Sequence, residues 1–436
     1  MFLISRDVEQ KAKKMSSMNE KLKRYAELVE TELEQFYDEK TGFLFSALNL
    51  DTRKPMTSED LSGDAAFPIA DYYAPNTYDG VMRYENTGMV QGTFLAAMCL
   101  KYRATGDPEA LKKAERTFKG IVKVYEMSQV IAPGFYCKPW GGAVTDETSS
   151  DQYIYSMTGL DAYYPIASDQ EKEMIRRMIP AMVEFWLSHN YEWKFLGENM
   201  QWQQTRFIGF MALAYKYSGD PKYEKEMERL IQLQKNSPQA PYNALEQNRS
   251  RQKNGQTLFS PRPEACLSSL LSMLPAMKVN PDPVFADLNN RIYHQGRQGL
   301  APDGTVYNML VKNADEETYH EIPLSEAAYT PVPANYFQLY GVWGPYRQGG
   351  MQTLMYSRFL LLVKDYISLP EDPVALVEEL LLKTWEHDHL TWYEDPNGIF
   401  PPCIHWMQNF CSGDAVTHWL WCYWKLYSMK NGKEEI

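Results

Sequence analysis

Four Asp-Pro pairs, Asp107-Pro108, Asp220-Pro221, Asp282-Pro283 and Asp372-Pro373, constrain this chain more than any other feature. Aspartate caps the free N–H groups at a helix start, and proline is favoured at the first helical position. Each pair therefore predicts a helix beginning, and Ser168-Asp169 occupies the equivalent place once. A nearly apolar segment precedes each turn and a charged amphipathic segment follows it. Lys101-Tyr102-Arg103-Ala104-Thr105-Gly106-Asp107-Pro108 and Lys216-Tyr217-Ser218-Gly219-Asp220-Pro221 are the clearest matching pair. The turn aspartates at 107, 169, 220, 282 and 372 are spaced by 62, 51, 62 and 90 residues. The last gap predicts an insertion, about residues 300–344, rich in Pro, Gly and Tyr.

Amphipathic helices are predicted near 18–36, 108–127, 169–187, 221–236, 283–295 and 371–386. Apolar or aromatic helices are predicted near 87–104, 150–165, 201–217, 263–277, 348–366 and 413–429. A helix with one dry face packs on a core, whereas one apolar all round lies within it. Six of each in alternation predict an all-α fold, an (α/α)6 toroid with an inner ring of six helices inside an outer ring of six. An open solenoid requires more uniform repeats and polar caps. Although 436 residues exceed the usual single core, the repeat accounts for them as one domain, 1–436, with the insertion as a lid.

A net charge of -12 argues against a nucleic-acid partner. The longest apolar runs, such as Phe359–Val363, are too short for a membrane span. The charged segment Met1–Met15 does not read as a signal peptide. Six cysteines without zinc spacing, with Cys99, Cys266 and Cys422 among apolar residues, read as buried thiols in a cytoplasmic protein. His387 and His389 point to different sides of a helix, so no metal pair is expected, and no cofactor is suggested. A homo-oligomer is compatible with all of this.

If the ring closes, the six inner-helix starts surround one mouth. They bring Asn76-Thr77-Tyr78-Asp79, Arg83, Glu85 and Asn86; Trp140, Asp146, Asp151 and Gln152; Glu198, Gln201 and Trp202; Arg262 and Glu264; Trp343, Tyr346 and Arg347; and His405, Trp406, Asp414 and His418. Aromatic planes suit apolar sugar faces, and carboxylates, guanidinium groups and amides suit hydroxyls, so an oligosaccharide substrate is expected. Individually these residues have plainer readings. Ser149 and Gln152 have capping-box spacing around Asp151, Arg262-Pro263-Glu264 suits a helix start, Glu85 and Asn86 suit capping, and Trp140 and Trp202 suit the core.

Glu85-Asn86-Thr87-Gly88, followed by Thr105-Gly106-Asp107 and by Ser150-Asp151-Gln152-Tyr153, resembles the six-hairpin glycosidase superfamily. The unsaturated-uronyl hydrolases and related uronic-acid-processing enzymes are nearest in look. The resemblance implies Asp151 as a catalytic acid. The family's first motif has an aspartate where Asn86 stands, which argues for altered chemistry because an amide transfers no proton. The expected activity is glycosidic hydrolysis of an oligosaccharide, with Asp151 and Glu85 as the carboxyl pair and Asp146, Glu198 and Glu264 in reserve. Arg83, Arg262 or Arg347 would hold a substrate carboxylate; Trp140, Trp202 and Tyr346 would be stacking walls. The alternatives are a lyase or sugar epimerase using His405, His418 or Tyr153 as base, and a carbohydrate-binding protein without catalysis.

Overall fold

The computed structural model describes residues 6–61, 78–195, 198–245, 250–253, 255–329, 342–402, 405 and 408–433. Among the described residues, twelve long helices alternate along the chain between two kinds. The outer ones are α1 (Arg6–Leu33), α3 (Pro108–Ser128), α5 (Asp169–Ser188), α7 (Pro221–Lys235), α9 (Pro283–Gln298) and α11 (Pro373–Glu386). The inner ones are α2 (Thr87–Thr105), α4 (Ser150–Tyr163), α6 (Ile208–Ser218), α8 (Pro263–Val279), α10 (Gly350–Val363) and α12 (Gly413–Lys430).

The predicted turns form as local chemistry dictates. Asp107, Asp220, Asp282 and Asp372 each accept the N–H two residues on, at 3.0 Å. Ser168 forms a complete capping box with Glu171. Gly106 and Gly219 end their helices in the left-handed conformation, with φ of 71° and 67°, which costs glycine nothing. Two helices depart clearly from their predicted starts: α1 begins at Arg6 rather than near 18, and the third inner helix begins late. Residues 198–201 form a strand and Gln204–Phe207 a 3₁₀ turn, so α6 begins at Ile208.

The inner helices pack on one another, α2 on α4, α4 on α8, α6 on α8, α8 on α10 and α10 on α12, and α12 returns to α2. That last contact closes the (α/α)6 toroid. Strand β1 (Ala47–Asn49) pairs antiparallel with a strand at Phe410–Ser412, tying the early chain to the start of the last inner helix.

α2 and α4 approach most closely at glycine. A Cβ on Gly92 would sit 2.2 Å from the Tyr155 carbonyl oxygen, and one on Gly159 2.5 Å from that of Gly92. Backbone cannot yield there as a side-chain tip can. Gly92→Ala is expected to destabilise the fold by about 1–3 kcal/mol, the usual cost of overpacking. Urea unfolding checks this; an unchanged midpoint would mean the two helices separate freely.

The helix connections carry short strands that the all-α expectation did not include. Four of them, at Ser250–Lys253, Gln256–Phe259, Leu310–Asn313 and His320–Glu321, make one antiparallel sheet. The 300–344 insertion is thus partly sheet. The five described cysteines are free and buried, and no described helix is long and apolar enough to cross a membrane.

Candidate active site

The connections that enter the inner helices meet around a cavity of about 440 Å³. Its charged lining consists of three acids, Glu85, Asp151 and Glu264, and three bases, Lys138, Arg206 and Arg262. Trp202, Tyr242, Trp392, Tyr393 and Phe195 supply aromatic surface, and Met89, Met200, Met351 and Met355 supply adaptable apolar surface.

Two acid–base pairs are already formed. Glu85 is 2% exposed, with one oxygen bonded to the Lys138 ammonium and the other accepting the Trp140 indole N–H at 2.9 Å. Burial pushes its carboxyl up and Lys138 draws it back. Glu264 pairs through one oxygen with Arg262, while neither oxygen has a hydrogen bond of good geometry. Arg262, Pro263 and Glu264 also form the helix start that their sequence suggested.

Asp151 opens α4 and is left over. The Ser149 side chain does not cap α4, so the expected capping box is absent. Gln152 instead reaches to α2, accepting the Gly88 N–H at 3.0 Å and donating to the Glu85 carbonyl at 3.3 Å. Tertiary partners have displaced the local cap. The Asp151 carboxyl accepts no hydrogen bond from a described residue. Burial raises it above the usual carboxylate range; Arg206, Lys138 and Arg262 pull against that, and Glu264 adds to it.

Arg206 faces this carboxyl with no ion-pair partner among the described residues. Its guanidinium lies 4.3 Å from the Tyr242 ring centre and 5.3 Å from that of Trp202, a cation–π clamp, and its buried Nε is unpaired. Tyr242 and Asn243 both have left-handed backbones, φ 57° and 52°, a costly conformation often found at functional walls.

Behind the wall, Asp414 near the start of α12 is fully buried. Its Oδ2 accepts the Asn86 amide at 2.7 Å, and its Oδ1 has no partner. Burial is the main cause of its pKa of about 7, with Asp151 and Glu85 pushing the same way and Asn86 opposing.

Of the residues expected at the mouth, Asp151, Glu85, Asn86, Trp202, Arg262 and Glu264 line the cavity. Trp140 is buried behind it and holds Glu85, so it is not a wall. Gln152 is buried between helices. Arg83 bonds the Met56 carbonyl. Asp146 pairs with Lys194 on the surface, and Gln201 is exposed, bonding Asn190 and Tyr191 carbonyls; Glu198 is exposed as well. Trp343 packs with Leu258, Val311 and Ile322, Tyr346 with Phe400, and Arg347 pairs with Glu321. No described residue of 300–344 lines the cavity, and 330–341 lie outside the described residues.

His405 is exposed and bonds the Phe400 carbonyl. His418 is buried inside the ring, bonded to the Asp414 carbonyl and kept neutral by burial. The Tyr153 hydroxyl accepts the Tyr136 N–H in the core. Among the described residues no histidine lines the cavity, and none form a metal-binding cluster. Asn76, Thr77 and Trp406 lie outside the described residues, as do the side chains of Tyr78 and Asp79.

Sequence reasoning missed Lys138 and Arg206. Lys138 sits two residues before Trp140, and Arg206 was assigned to the body of a helix. Asp414 was seen at the rim without a role.

No family model matches the sequence, and no characterised protein matches it significantly. Solved structures match almost the whole chain at low identity. A D-mannose isomerase superposes with TM-score 0.52 and 12% identity, over 94% of this chain and 97% of its own. An unsaturated glucuronyl hydrolase specific for heparin gives 0.52 and 12%, over 95% and 98%. The cellobiose 2-epimerase of Bacillus thermoamylovorans gives 0.50 and 12%, over 93% and 99%. The chain shares the (α/α)6 toroid fold of these proteins. These toroids host hydrolysis, epimerisation and isomerisation of sugars, so the scaffold leaves the chemistry to its site.

Proposed function

We propose that the toroid hydrolyses a glycosidic bond in an oligosaccharide bearing an acidic sugar. The observation that carries this reading is Asp151, a carboxyl on the cavity wall with no hydrogen bond from a described residue, raised by burial. Such a group holds a proton for a leaving glycosidic oxygen, the acid role that either glycosidase mechanism requires.

The second carboxyl must stay ionised. Glu85, the sequence candidate, has both oxygens engaged by Lys138 and Trp140, which leaves it a structural charge. Glu264 suits the task better, because it pairs with Arg262 through one oxygen only and its second oxygen accepts nothing. Once Asp151 is protonated and the two pairs are counted, Arg206 is the unmatched cation. Its fork suits a substrate carboxylate, which supports the acidic sugar. A proton abstraction as in epimerases or isomerases calls for a base at the ring carbon, and His405, His418 and Tyr153 all lie off the cavity.

The test is a screen of the purified protein against nitrophenyl glycosides and uronic-acid oligosaccharides, read by nitrophenol and reducing sugar. Hydrolysis that prefers uronates over matched neutral sugars is the expected result. A new ultraviolet-absorbing unsaturated sugar would transfer the site to lyase chemistry. Conversion of free mannose to a ketose without cleavage would transfer it to isomerisation.

A further inference from the structure

Asn86 faces the cavity on one side and Asp414 on the other, and the two share one hydrogen bond. We propose that Asp414 is a positioning residue that sets, through Asn86, whether the cavity wall offers the substrate a hydrogen-bond acceptor or a donor.

An ionised carboxylate only accepts hydrogen bonds, whereas an amide has a donor end and an acceptor end. With Asp414 ionised, Asn86 must turn its Nδ2 inward, the arrangement observed at 2.7 Å. Its Oδ1 is then left for the cavity, where it accepts from a sugar hydroxyl. A protonated Asp414 has an O–H to give. Asn86 can then turn over, accept that proton on Oδ1, and present its NH₂ to the cavity. No backbone movement is needed, because the Asn86 N–H is fixed on the Ser46 hydroxyl at 2.6 Å and its carbonyl on the Val90 N–H at 2.9 Å.

Two further observations fit. The Asp414 Oδ1 is buried and unpaired, so among the described residues Asn86 alone fixes the carboxyl. Burial chiefly puts its titration near neutrality, at about 7, and the charges that add to it are both acids, Asp151 on α4 and Glu85 ahead of α2. On α12 itself, His418 bonds only the Asp414 carbonyl, and Arg358 of α10 bears on His418 rather than on Asp414. No charged group of α1 or α11, which also pack on α12, acts on it. Both orientations are therefore accessible within ordinary working pH, the acceptor above about 7 and the donor below.

The substrate part of this proposal rests on the hydrolase reading; the amide switch does not. The first arm uses ¹⁵N-labelled protein, with the Asn86 NH₂ resonances assigned by their loss in Asn86→Ser. In wild type they should shift with a midpoint near pH 7, and in Asp414→Asn they should stay flat. A wild-type pair that does not move from about pH 5 to 9 overturns the switch, whether or not the protein cleaves any glycoside, and this reading does not depend on the Asp414→Asn variant folding.

The second arm takes a nitrophenyl glycoside cleaved by wild type. Its KM should change about 3- to 10-fold across the same midpoint, the size of one hydrogen bond, while the Asp414→Asn KM stays level. A moving amide with a pH-independent wild-type KM would overturn the specificity role. Should no glycoside be cleaved, the hydrolase reading fails and the amide titration alone decides the switch.

Discussion

Asp151→Asn should lower turnover of a natural oligosaccharide by about 10²–10⁴-fold, the usual worth of a positioned general acid. The substitution is nearly isosteric, and the group it replaces accepts no hydrogen bond from a described residue, so little of the fold depends on it. What disappears is the proton. A nitrophenolate leaves with little protonic help, so the same variant should lose far less on a nitrophenyl glycoside. That contrast separates a lost acid from a damaged site, which would slow both substrates alike. The wild-type pH profile should also carry a falling limb displaced upward from an ordinary aspartate, because burial raises this carboxyl and the acid works only while protonated. Equal activity of variant and wild type on the oligosaccharide would return Asp151 to a first-turn helix acid.

Asp414→Asn should stabilise the fold above neutral pH. The carboxyl titrates at about 7 when folded and at about 3.9 when unfolded. A raised folded value means that its contribution is full below the unfolded value and is lost as pH rises through the folded one. Three units correspond to about 4 kcal/mol. The variant has no charge to bury, so its advantage over wild type should grow from about 1–2 kcal/mol near pH 5 to about 4 kcal/mol near pH 8. Urea unfolding of both proteins at the two pH values measures this. A gap that does not change with pH would mean Asp414 is not a buried titrating carboxyl.

Such a penalty tolerated beside the cavity is typical of groups kept for function. The Glu85–Lys138 pair is a different case. Its charges are matched and its second oxygen is bonded to Trp140, so it reads as the rigid frame from which Asn86 projects.

What could be read along the chain was what depends on near neighbours. An aspartate side chain reaches the N–H two residues on, so four of the six outer helices announce their own starts. The contrast between one-faced and wholly apolar helices sorts outer from inner, and their strict alternation implies the ring. Asp151 and Glu264 were legible because each opens an inner helix.

The remainder depended on partners distant in sequence. Gln152 stands at capping-box spacing yet bonds Gly88, across a helix interface held close by Gly92 and Gly159. Tyr346 and Trp343 have the composition of a sugar site but are spent on packing elsewhere, and His405 is exposed away from the cavity, because connection length does not say which way a loop folds. Arg206 becomes a cavity residue only because Gln204–Phe207 turns before α6 begins. Asp414 meets Asn86 across 328 positions, and only closure of the ring joins them. The sequence by itself determined the helices, their caps and their order, since those are local energies. The tertiary structure decided which charges are paired and which are left facing the cavity, since burial and long-range contact set the cost of each charge.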